Sequence, residues 1–73
     1  MLMPYRVEIL REGDEALLRR RDFVAADDIE AMRKAHDVYT QLADAEAGRF
    51  VLYRDGIAID EHVGSPKKSD LGY

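Results

Sequence analysis

Cysteine is absent from the 73-residue chain, which excludes disulfides and thiolate metal sites. Histidine is scarce: there are two, His36 and His62, too far apart in sequence to form a local ligand motif. No apolar run approaches the roughly 18 residues of a membrane span. Met1-Leu2-Met3-Pro4 is too short for the apolar stretch of a signal peptide. A cytoplasmic location without a membrane partner is therefore the expectation. Basic charge is also outweighed, with 11 Lys and Arg against 15 Asp and Glu and a formal net charge of −4, which argues against a protein built to grip phosphate backbones. No glycine-rich phosphate loop occurs, and no Ser or Thr stands in a nucleophile setting. The reading is of a non-enzyme with no catalytic residue, no cofactor and no metal. At this length the core of a lone domain is marginal. With no disulfide or metal to staple it, oligomerisation is the remaining device, and a homodimer is expected.

Two strand pairs and one helix are legible in what is present. From Tyr5 to Arg11, Tyr5, Val7 and Ile9 alternate with Arg6 and Glu8, the period of a half-buried strand. Gly13 supplies a turn into a second β-prone run, Ala16 to Val24. There Leu17 and Phe23 share a parity with Arg19 and Arg21, so either a bulge shifts the register or those arginines lie along the sheet rim. Helical spacing runs from about Asp28 to about Ala47, with Ile29, Met32, Ala35, His36, Tyr39, Leu42 and Ala43 on one side and Gly48 as its C-terminal cap. Asp55-Gly56 then marks a two-residue type I′ hairpin. Its register sets Arg54 against Ile57, Tyr53 against Ala58, Leu52 against Ile59, Val51 against Asp60 and Phe50 against Glu61. The fold class is α+β: a β-β-α-β-β domain over residues 1–63, one four-stranded mainly antiparallel sheet with a single helix on one face. Residues 64–73 are rich in breakers and read as a disordered tail. The expected core is Val7, Ile9, Leu17, Phe23, Ile29, Met32, Tyr39, Leu42, Phe50, Leu52, Ile57 and Ile59.

The stretch Asp22 to His36, "DFVAADDIEAMRKAH", gathers carboxylates ahead of an imidazole and invites a metal or acid/base reading. Asp27 and Glu30, three residues apart before the apolar period begins, have the form of a capping box, and Asp28 adds charge where the helix dipole favours it. His36 lies two turns beyond Asp28, too far to share a ligand with it. The carboxylates are read as a cap.

Over Tyr5 to His62 the chain resembles a set of short uncharacterised bacterial proteins, frequent in proteobacteria, through Tyr5, Arg6, Arg20, Arg21, Asp22, Phe23, Ala25, Asp27, Asp28, Glu30, Ala31 and Ala35. That resemblance implies a fold and transfers no functional residue. A fainter likeness to small antitoxins rests on element order alone. Two functional readings follow. The first is a self-associating protein-interaction module whose interface is the sheet face left bare by the helix, with Leu10, Val24, Val51, Tyr53 and Ala58 rimmed by Arg49, Asp60 and His62. The second is a nucleic-acid-binding or antitoxin-like regulator that uses Arg19, Arg20, Arg21 and Arg49 with Tyr53 as a stacking platform.

Overall fold

The computed structural model describes residues 1–42 and 46–64. The elements are β1 (Met3–Arg11), β2 (Leu17–Ala25), α1 (Asp28–Leu42), β3 (Ala47–Arg54) and β4 (Ile57–Val63), and one antiparallel sheet runs in the order β2-β1-β3-β4. The β-β-α-β-β architecture read from the sequence is the one observed. Asp55 and Gly56 both take positive φ, 54° and 79°, as a type I′ turn requires. Gly13, at φ 101°, turns the first hairpin. The segment expected to be a tail lies, from Ser65 onward, outside the described residues, as do residues 43–45.

The cap forms as its letters suggest. The Glu30 amide donates to Asp27 Oδ1 at 2.8 Å, and Glu30 Oε1 accepts from the Ala26 amide at 2.6 Å. Asp28 does more than complement the helix dipole. Its carboxylate accepts the Tyr5 hydroxyl at 2.8 Å and Arg54 Nη1 at 2.8 and 2.7 Å, fastening the start of α1 to β1 and β3.

Along α1 the buried positions are Ala31, Ala35 and Tyr39, one face at i, i+4 and i+8. Alanines there let the helix sit close over Tyr5, Val7 and Ile9 of β1 and Phe50 and Leu52 of β3, which with Ala25 and Ala47 complete the core. Full burial of a side chain such as Phe50, Leu52 or Ile9 contributes about 1.5–3 kcal/mol. Met32, Val38 and Leu42 pack at the margin.

Three expected core members lie outside it: Ile29 is 68 % exposed, Ile57 67 % and Leu17 53 %. The helix seam is rotated toward Ala31, which leaves Ile29 on the flank. Leu17 is displaced by a bulge. Ile9 pairs with Arg19 and Leu10 with Leu17, so Leu18 is the extra residue and turns to the core in place of Leu17. Arg19 and Arg21 stay on the helix side of this edge strand, opposite Ile9 and Val7, and remain exposed.

Gly48 is not a helix cap. It lies within β3 at a second bulge, where Leu10 pairs with Arg49 and Arg11 with Ala47. A Cβ there would come within 2.7 Å of the Glu12 Cα, so the crossing of β1 and β3 at this end admits glycine alone. The third bulge corrects the register of the second hairpin. Arg54 faces Ile57 and Tyr53 faces Ala58 as expected, but then Leu52 faces Asp60, Val51 faces Glu61 and Phe50 faces His62. Ile59 is the extra residue and packs on the core. Because strand side chains alternate, this one-residue shift carries Asp60 and His62 to the helix side and Glu61 to the bare side.

Candidate functional site

The sheet face opposite α1 carries Pro4, Arg6, Glu8 and Leu10 of β1, Arg20, Asp22 and Val24 of β2, Arg49, Val51 and Tyr53 of β3, and Ala58 and Glu61 of β4, by the alternation of the paired strands. At one end it is hollowed. A concavity of about 600 Å³ opens there, lined among others by Pro4, Arg6, Glu8, Asp22, Val24 and Tyr53. Pro4 pairs with Val24, and Tyr53 lies between Arg6 and Ala58 across three strands, so the floor is apolar and aromatic.

The five candidate interface residues do not form one patch. Val24 and Tyr53 line the hollow, and Ala58 is the strand partner of Tyr53 beside it. Leu10, paired with Leu17, sits at the far end of β1, six residues from Pro4, the partner of Val24, and so roughly 20 Å from that end at the rise of an extended strand. Val51 lies between the two and is only 7 % exposed although no helix covers it. Its strand neighbours are Glu8 and Glu61. Above it the Arg49 guanidinium donates to Glu61 and, at 3.1 Å, to Glu15. Long side chains of this kind can lay their stems over an apolar neighbour while their charged ends meet water and one another. The cost is Arg49 Nε, buried with no hydrogen-bond partner. Of the expected rim, Arg49 is present, whereas Asp60 and His62 belong to the other face.

Around the hollow, charge on the bare face is compensated locally. Arg6 Nε donates to Asp22 at 3.2 Å, and its guanidinium lies 3.9 Å from Glu8. At the edge of the first turn Arg11 holds Asp14 through two bonds of 3.0 and 3.1 Å, and this pairing draws the Asp14 carboxyl down to a pKa of about 2. The residues offered for nucleic acid are dispersed. Arg19 and Arg21 point to the helix side and Arg20 to the bare side, Arg49 is neutralised by two glutamates, and Tyr53 stands two strands from β2. Arg19, Arg20 and Arg21 have no ion-pair partner among the described residues.

Pro4 is a part of the hollow that sequence reasoning did not assign. Its signal was its parity with Arg6 and Glu8. It could not be used without the register of the first hairpin, which a two-residue turn would fix and this longer turn does not. Among the described residues no group of three or more His, Cys, Asp or Glu is gathered tightly enough for a metal, and no helix is long and apolar enough to cross a membrane. Compared with protein-family models, with curated proteins and with solved structures, the chain matches none.

Proposed function

We propose that this chain is a non-catalytic protein-interaction module that pairs with a second copy of itself through the bare sheet face. The observation that carries this reading is the hollow lined by Pro4, Val24 and Tyr53 and bordered by the compensated pair Arg6 and Asp22. A two-fold dimer uses one surface twice, so the surface must complement itself. A face holding both signs beside an aromatic side chain meets that requirement: rotation brings Arg6 of one copy toward the acidic border of the other. Tyrosine is also among the residues that anchor interfaces. Light scattering after gel filtration tests the reading. A dimeric mass at high micromolar concentration is expected for the wild type, and a monomeric mass for Tyr53→Lys. A wild-type monomer at that concentration rejects it.

The second reading, nucleic-acid binding, is favoured by one observation, the unpaired run Arg19 to Arg21. Mixed charge around an apolar hollow, rather than a continuous basic stripe, weighs against it. Fluorescence polarisation with mixed RNA and DNA is expected to show only non-specific contact, about 10⁻⁴ to 10⁻⁶ M at physiological salt. Sub-micromolar, strongly salt-dependent binding that is lost in an Arg19/Arg20/Arg21 to Ala variant would promote this reading over the first.

A further inference from the structure

The bulge at Ile59 brings together two side chains that the chain order keeps apart. His36 lies on the flank of α1 that faces β4, and His62 stands on the inner face of β4 opposite Phe50. Their ring centres are 5.1 Å apart with planes at 69°. Both are backed by aromatic rings. Phe50 stacks on His62 at 5.6 Å and meets His36 edge-on at 5.1 Å. Tyr39 packs against Phe50 at 4.9 Å and His62 at 5.7 Å. The Tyr39 hydroxyl donates to the Gly64 carbonyl at 2.6 Å, which holds the ring in place, and burial raises its pKa above the ordinary value, with the Glu12 charge adding to the effect. The two imidazoles are therefore confined on their protein side, while His36 is exposed and His62 half-buried on the other. Neither has a hydrogen-bond or ion-pair partner among the described residues, so all four ring nitrogens are uncommitted.

Two imidazoles that share one ion at about 2.0–2.1 Å per nitrogen and a near-tetrahedral angle hold their ring centres roughly 5 Å apart. The observed separation of 5.1 Å equals that spacing. We propose that His36 and His62 form a two-histidine clamp for a borderline divalent transition-metal ion of the zinc and nickel class, with water filling the remaining positions. Imidazole selects such ions over magnesium and calcium, which require oxygen donors. Bound there, the ion would bridge α1 to the outermost strand of the sheet. An ion that binds the folded state and not the unfolded one stabilises the fold as its concentration rises.

Isothermal titration of the untagged full chain with zinc chloride near neutral pH tests the clamp, with nickel as a second probe and magnesium as a control. One saturable zinc site per chain is expected, weakened about tenfold or more in His36→Ala and in His62→Gln, and absent for magnesium. Thermal melts should show zinc raising the Tm of the wild type and not that of His36→Ala. His36 is exposed, so its removal spares the core, and this variant decides the matter if His62→Gln disturbs the stack on Phe50. Equal zinc affinity in the wild type and His36→Ala, or no saturable binding by the wild type, overturns the proposal.

Discussion

The two faces of the sheet solve the same problem by different means. On one, α1 lays Ala31, Ala35 and Tyr39 over Val7, Ile9, Phe50 and Leu52, and among the described residues no polar or charged one is buried beneath it. On the other there is no second layer among the described residues, yet Val51 is only 7 % exposed, beside an Arg49 whose charge pairs with Glu61 and Glu15. Long charged side chains can shield an apolar neighbour with their stems in place of a helix. Such a shield is thinner and can be opened by a partner, whereas the first cannot be removed without unfolding.

The sharpest test of that difference is a pair of truncations. Phe50→Ala on the covered face is expected to cost about 3–5 kcal/mol, close to the whole stability of a small domain. Val51→Ala on the bare face should cost about half as much, because flexible stems can close over the space it leaves. Urea denaturation of both variants measures the contrast, and equal losses would mean that the bare face is packed as rigidly as the core. Next in size is Gly48→Ala, at about 2 kcal/mol. The new methyl group meets the backbone of Glu12, which cannot swing aside as a side chain would. A neutral result in the same assay would show that β1 and β3 can part at this end.

A smaller effect belongs to the start of the helix that makes the covered face. Asp27→Ala is expected to lower stability by about 1 kcal/mol through loss of the cap, by an amount unchanged by chelator. If EDTA lowers the Tm of the wild type but not that of the variant, Asp27 holds an ion and does not merely cap. The smallest expected change concerns pH. The bond from the Tyr5 hydroxyl, followed by Arg54, holds the Asp28 carboxyl below its ordinary pKa. The stability that Asp28 contributes is therefore complete above its unfolded value, near 3.8, and fades as pH falls through the lower folded value. Carboxyl carbon NMR should show Asp28 titrating below a reference aspartate and returning upward in Tyr5→Phe. In the first turn Asp14 should titrate at about 2 and rise in Arg11→Ala.

Much of the fold was legible because it rests on local chemistry. Asp55-Gly56 dictates its turn, Asp27 and Glu30 dictate the cap, and Tyr5, Val7 and Ile9 announce a strand. The bulges were harder to read. Leu18, Gly48 and Ile59 are each unpaired because the cross-strand fit is better with one residue extruded, and that fit is a property of two strands together. In β2 the conflict between Leu17 and its arginine neighbours signalled a bulge without locating it. In β4 nothing did: Ile57 and Ile59 alternate smoothly, and His62 turns inward, opposite Phe50, only through the bulge. The bare face suffered accordingly, losing Asp60 and His62 from its rim and having Leu10 stranded at its far end. Asp28 was read as a dipole partner because its ties to Tyr5 and Arg54 cross long stretches of chain.

The point at which the chain leaves the sheet is held twice. The Gly64 amide donates to the Gly48 carbonyl at 2.8 Å, and the Gly64 carbonyl accepts the Tyr39 hydroxyl. A force applied to the chain beyond Gly64 therefore does not meet a loose end. It is shared at once between β3, through a backbone hydrogen bond, and the helix, through a phenol rooted in the core. The exit behaves as a cleat: a cargo attached after it would pull on the body of the domain before it could peel the edge strand away, and Tyr39→Phe would be the change that lets the strand go first.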